Sequence, residues 1–236
     1  MELSLDKCFL LCQGPGPTPH LEIGGFPLSI VDHNGHRDLG LLVTPSGDFA
    51  RHTAAVVAKA RAKISFVFRA LRSRDSDILV YAYKTYVRCI LESASVVFGS
   101  ISKGCMGELE MVQRVFTHRV YRRCALPDVH YSDRAKFLGL PSITSRFLVN
   151  DLCFVHAVHA GRLFCPAVKT GTADDRYPLS RPHRLAPDRR SSPYRTHFLP
   201  NRIAPAWNAL SAKVVSLKAP AFRAECDRTL SSFRYD

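Results

Sequence analysis

The sequence has no apolar run approaching the roughly 18 residues that a membrane-spanning helix needs. Its longest clean run is Ile78-Leu79-Val80-Tyr81-Ala82-Tyr83. No secretory leader is legible either. Glu2 and Asp6 stand where such a leader carries positive charge, and Phe9-Leu10-Leu11 is too short for its apolar core. CxxC pairs are missing. Of eight cysteines only Cys8 and Cys12 are close in sequence, which excludes a zinc ribbon or finger. Without a route to secretion the cysteines read as free thiols of a reducing compartment, so the expected location is intracellular, nucleus or cytoplasm. A G-x-S-x-G nucleophile elbow is absent. Gly14-Pro15-Gly16 is not a phosphate loop, because no Lys-Ser/Thr follows and Pro15 has no N–H.

Acidic residues are also scarce. The 236-residue chain sets 33 Lys and Arg against 20 Asp and Glu, for a net charge of +13 and a pI near 9.7. With 46% hydrophobic and 22% charged residues the composition is that of a folded protein. The charge is uneven: residues 1–50 carry a net −4, residues 51–160 a net +9 and residues 161–236 a net +8. A border near residue 50 follows, and the basic body favours a polyanionic partner.

Residues 1–50 read as short strands and turns. Cys8 to Cys12 is a candidate buried strand, and Gly24-Gly25 closes a hairpin between Leu21-Glu22-Ile23 and Phe26 to Val31. Leu39 to Val43 is a further strand. From Arg51 the period becomes helical. Val56, Val57, Ala60, Ile64, Val67, Phe68 and Leu71 share one arc, with Arg51, Lys59, Arg61, Lys63, Arg69 and Arg72 outside it or on its flanks. Asp75 and Ser76 cap a second helix over about 77–98. A third spans about 106–123, its end crowded with Arg119, Arg122 and Arg123 where cations suit the helix dipole. A short helix from Ser132 to Leu138 and a long one from Ile143 to Leu163 follow.

Residues 165–200 hold Pro166, Pro178, Pro182, Pro187, Pro193 and Pro200 and read as a linker without a core, bearing the cluster Arg181, Arg184, Arg189, Arg190 and Arg195. Two final helices are expected over Pro205–Leu210 and Ala219–Phe233. The fold class is therefore mainly α with a small N-terminal β element. Its segments are 1–50, 51–164, 165–200 and 201–236.

Several segments, taken together, resemble the region after the catalytic palm of non-LTR (LINE-like) retrotransposon reverse transcriptases. Lys7-Cys8-Phe9-Leu10-Leu11 is similar to the strand after the active-site hairpin. Ile23-Gly24-Gly25-Phe26-Pro27-Leu28 with Arg37-Asp38-Leu39-Gly40-Leu41-Leu42-Val43 is similar to the hairpin and strand near the primer grip. Tyr83-Lys84-Thr85-Tyr86-Val87-Arg88-Cys89-Ile90-Leu91-Glu92-Ser93-Ala94-Ser95 resembles the thumb helix "Y-K-S-Y-V-R-P-I-L-E-Y-A-S". Glu110 to Thr117 resembles "E-x-V-Q-R-R-F-T", and Phe137-Leu138-Gly139-Leu140-Pro141-Ser142 resembles "L-L-G-L-P-S". Trp207-Asn208-Ala209-Leu210 with Val214, Val215 and Phe222 resembles the closing segment. The order is right across nearly the whole chain. Cys89, Ser93 and Ser211 depart from the pattern, which has Pro, Tyr and Pro there, as a diverged copy would.

The resemblance implies a helical, thumb-like bundle that grips an RNA template and DNA primer. It implies a transposable-element protein whose parent is an RNA-directed DNA polymerase using Mg²⁺. The family's paired aspartates lie upstream of the segment matched by Lys7, so no catalytic residue is expected in this chain, nor any cofactor, and it should not polymerise alone. Asp174-Asp175 mimics their x-A-D-D motif by letters only. The expected nucleic-acid-binding residues are Lys59, Lys63, Arg69, Arg72, Arg74, Arg114, Arg119, Arg122 and Arg123, acting on phosphates without reading bases. The alternative is a domesticated, helical protein-interaction module. Cys153, His156, His159 and Cys165 hint at a metal, but three of them sweep too wide an arc on one helix, and packing is the better reading.

Overall fold

A computed structural model describes residues 4–13, 16–17, 19–99, 101–168, 184–185 and 198–230. The chain is mainly helical with a small N-terminal β element, as its sequence pattern demands.

That element consists of three separate two-stranded ladders. Strands β1 (Phe9–Leu10) and β4 (Ser29–Ile30) pair in parallel. β2 (Glu22–Ile23) and β3 (Phe26–Pro27) form the expected hairpin. Gly24 and Gly25 both adopt positive φ, 61° and 81°, which a two-residue hairpin turn requires. β5 (His36–Asp38) and β6 (Leu41–Val43) form a second hairpin through Leu39-Gly40. The expected strand from Leu39 therefore begins two residues later, because Leu39 and Gly40 turn at φ 46° and 88°. Cys8 to Cys12 is not a buried strand: only Phe9 and Leu10 pair, and Phe9 is exposed.

Helix α1 (Ala50–Ala70) follows its predicted arc, burying Val56, Val57, Ala60, Ile64, Val67 and Phe68. The Asp48 carboxylate receives the Ala50 N–H at its start (3.0 Å) and is held below the usual range, first by Ser46 and then by that N–H. α2 (Ser76–Tyr83) begins at Asp75, whose side chain accepts the Asp77 and Ile78 N–H groups. A π-helical turn, Lys84–Arg88, carries it into α3 (Cys89–Glu92). The single helix expected over 77–98 stops there. Ala94 turns left-handed at φ 57°, and α4 (Ser95–Phe98) starts anew.

α5 (Lys103–Arg123) begins at its Ser102 cap, three residues before the expected start. α6 (Tyr131–Phe137) and α7 (Ile143–His159) follow, the latter capped by Ser142 and shorter than expected because Gly161 turns at φ 68°. α8 (Leu199–Asn208), α9 (Ala212–Val215) and α10 (Ala219–Leu230) follow among the described residues.

Two apolar clusters share α7. The first joins α1 to α5 around Tyr83, Leu91, Phe98 and Phe116, and ends at Phe147. The second packs Val149, Leu152 and Val155 against Ile203, Trp207 and Phe222. Val168 and Leu185, from the segment read as a coreless linker, are buried in this second cluster. The Asn208 amide fastens Leu185, accepting its N–H at 2.9 Å and donating to its carbonyl at 3.0 Å.

Candidate nucleic-acid interface

The nine predicted cations divide into two groups by what α1 and α5 do with them. α1 contains five Lys and Arg and no Asp or Glu. Lys59, Lys63 and Arg69 of this helix, and Arg72 and Arg74 of the loop after it, form no ion pair among the described residues. Lys59, Arg69, Arg72 and Arg74 are exposed. Lys59, Lys63 and Phe66 follow at spacings of four and three, so they form a stripe on one flank of α1. Phe66 is half-exposed, and the Lys63 ammonium lies 5.2 Å from its ring centre.

The arginines of α5 are mostly spent inside the protein. Arg123 donates to the carbonyls of Phe68 (2.8 Å) and Leu71, closing the C-terminus of α1. It therefore serves the carbonyls of the neighbouring helix as well as ending its own. Arg119 lies 4.3 Å over the Phe68 ring, and burial followed by the adjacent Arg123 lowers its pKa. Arg114 covers the Tyr131 ring at 4.8 Å. Of the α5 set only Arg122 is exposed with no internal partner among the described residues. In the basic cluster of 165–200, Arg184 is described and half-buried, while Arg181, Arg189, Arg190 and Arg195 lie outside the described residues, as do Asp174 and Asp175.

Several motif letters hold this surface in place. The Tyr83 hydroxyl donates to Gln113 Oε1 (3.1 Å), and the Gln113 amide donates to Tyr131 Oη and the Pro141 carbonyl, both at 3.0 Å. Glu110 accepts from Tyr131 and from the Ile143 N–H (2.7 Å), fixing the start of α7. Burial raises its pKa against those two hydrogen bonds. Arg146 grips Glu92 with a forked pair at 2.8 and 2.9 Å and reaches Asp227 at 3.1 Å. Arg202 forks onto Asp151 in the same way and donates to the Val96 carbonyl.

His156 and His159 are packing residues. His156 stacks on Phe222 with ring centres 4.0 Å apart, while its Nε2 faces the Val215 carbonyl and its Nδ1 faces Arg162. His159 meets Trp207 edge-on. Cys226, buried beside Cys153, has its thiol pushed up to about 12 by burial, so it is a poor thiolate. Among the described residues no group of three or more His, Cys, Asp or Glu side chains is placed to hold a metal ion. No helix among them is long and apolar enough to cross a membrane.

Sequence reasoning missed His52. It is buried at the start of α1, where its Nδ1 accepts the Leu42 N–H of β6 at 3.3 Å and ties the second hairpin to the helix. The available signal was its position on the edge of the apolar arc of α1.

No family model matches the chain, and no solved structure matches it. An uncharacterized protein of Caenorhabditis elegans is 27% identical over 189 residues, which span 77% of this chain and 96% of that protein.

Proposed function

We propose that this chain is a nucleic-acid grip, corresponding to the thumb and flanking regions of a non-LTR retrotransposon reverse transcriptase. It holds an RNA–DNA duplex by its phosphates. The observation that carries the reading is α1, a helix with five cations, no carboxylate and, among the described residues, no internal partner for Lys59 or Arg69. Flexible cations on a rigid helix neutralise phosphates and release counterions, and they do so whatever the base sequence. Arg72, Arg74 and Arg122 extend the same role, and Phe66 offers a face on which a base or sugar can rest. The motif segments support the reading by their mutual dependence. Tyr83, Gln113, Glu110 and the Leu140-Pro141-Ser142 turn, drawn from three of them, form one hydrogen-bonded knot beneath the surface. The chain carries no assigned catalytic residue; the Mg²⁺ and the carboxylates that hold it belong to the parent family's palm.

The test is fluorescence anisotropy on an RNA–DNA hybrid across a salt series. The expected slope of log K against log salt is about −0.9 for each phosphate neutralised. Reversing Lys59, Lys63, Arg69 and Arg72 to Glu is expected to remove binding with the helical circular dichroism retained. Absent or salt-insensitive binding, or no loss on reversal, favours the helical protein-interaction module instead. That second reading has its own observation in the exposed apolar residues Phe26, Ile30 and Leu39 of the β element.

A further inference from the structure

Helix α5 has a face that the other described residues leave bare. Gly104, Glu108, Met111, Val115, His118 and Arg122 follow one another at alternating spacings of four and three. At about 100° per residue they fall within an arc of about 80°. All six are exposed. Met111 is 43% and Val115 39% exposed, although both sit in the interior of a 21-residue helix. The opposite face is committed, with Leu109, Val112, Phe116 and Val120 buried in the first apolar cluster. Arg114 and Arg119, on the two flanks, cover the Tyr131 and Phe68 rings. Alternation of four and three is the spacing of a seam between two helices packed side by side.

The charges on this stripe have a direction. Glu108 stands near its start and Arg122 at its end, with the two apolar residues between them. Neither charge has an ion-pair partner among the described residues. A second copy turned end for end brings each Glu108 to the end of the other helix that carries Arg122. Met111 and Val115 then meet the same two residues across the twofold axis. A copy laid parallel sets Glu108 on Glu108 and Arg122 on Arg122, which repels at both ends. Two glycines fit the antiparallel geometry. Glycine inside a helix is destabilising relative to alanine. A Cβ at Gly107 would meet nothing within 4 Å, and one at Gly104 only the Ser102 hydroxyl at 3.7 Å. No described residue requires glycine at either position. A helix laid antiparallel supplies the reason, because its long Arg122 comes to lie over this bare end.

We propose that this face of α5 is a dimer interface, and that its occupant is α5 of a second copy of the chain, packed antiparallel. The inference goes beyond nucleic-acid binding and does not rest on it. It concerns a different helix from the Lys59–Lys63 stripe and engages Arg122 in a protein contact. The apolar contact is small, two residues from each copy. A reversible dimer is therefore expected, with a dissociation constant on the order of 10 to 100 µM.

Sedimentation velocity of the full chain, without nucleic acid, follows association from about 1 µM to about 1 mM. Wild type is expected to pass from monomer to dimer across this range. Glu108→Arg and Arg122→Glu each set like charges together at both ends of the seam. Each is expected to weaken the dimer about tenfold. The double variant, E108R with R122E, exchanges the charges and is expected to return to wild-type association. Val115→Lys is expected to leave a monomer. These positions are exposed, and circular dichroism checks that each variant keeps its helices. A wild-type chain that stays monomeric throughout overturns the proposal. So do single variants that associate like wild type, a double variant no better than the singles, or a dimer that survives Val115→Lys.

Discussion

The cations of α1 and those of α5 look alike in sequence and are unlike in use. Both helices are 21 residues long, and both put basic residues in their last turns. α1 leaves Lys59 and Arg69 in solvent with no partner among the described residues, whereas α5 turns Arg119 and Arg123 inward to cover Phe68 and close the end of α1. The difference teaches that net charge overstates the surface available to a polyanion. A guanidinium with five donors and a planar face is readily drawn into packing, and then it stabilises the fold instead of a ligand.

Four measurements break or sharpen this contrast. The largest effect is expected at an arginine that is wholly internal. Arg146→Ala removes the forked partner of Glu92 and leaves it only Arg88 at 3.4 Å, and urea unfolding is expected to show a loss of about 3 kcal/mol. Next, the exposed set should move binding and not stability. Lys59→Glu, Lys63→Glu and Arg69→Glu combined are expected to weaken hybrid binding on the order of 100-fold and flatten the salt slope by about 2.7. The unfolding midpoint should stay nearly fixed.

Arg123→Met is the converse and should be smaller. It frees the Phe68 and Leu71 carbonyls, so a loss of about 1–3 kcal/mol in stability is expected. Hybrid affinity per folded molecule should hardly change. If Arg123→Met instead removes binding and leaves stability intact, the division between the two helices is wrong.

The smallest effect is a pH dependence. His52 has a folded pKa below its ordinary 6.5 because of burial and then Arg37. Between that depressed value and 6.5 the unfolded chain binds more protons than the folded one, so stability rises with pH through this window. Lowering the pH from about 7.5 to about 5.5 should therefore cost stability, and part of that cost should vanish in His52→Asn. Asn keeps an acceptor for the Leu42 N–H while removing the titration. An equal pH response in wild type and variant would assign the effect elsewhere, His156 being the other imidazole lowered by burial.

Much of the helical body was legible because its signals are local. The arc of α1, the Asp75 cap, the Gly24-Gly25 turn and the mainly α class need only spacing and backbone preference. The break at Ser93-Ala94 was hidden, since neither residue marks a turn, and the left-handed Ala94 leads into α4, whose Phe98 packs on Phe147 of α7. The roles of Arg119 and Arg123 were hidden for a related reason. A helical wheel places a cation on its own helix but says nothing of a neighbour's unsatisfied carbonyls. Glu110 and His52, both buried, carry charges or donors that composition assigns to the surface. In the 165–200 segment proline content hid the apolar anchors Val168 and Leu185, while residues 169–183 and 186–197 lie outside the described residues.

The sharing of α7 has a consequence for how the chain opens. One helix gives its first half to one apolar cluster and its second half to the other. Neither cluster can come apart without unmaking a wall of its neighbour. Amide hydrogen exchange along α7 is therefore expected to report one common opening free energy from Phe147 to Val155, with α8 and α10 exchanging as part of the same cooperative unit as α1 and α5.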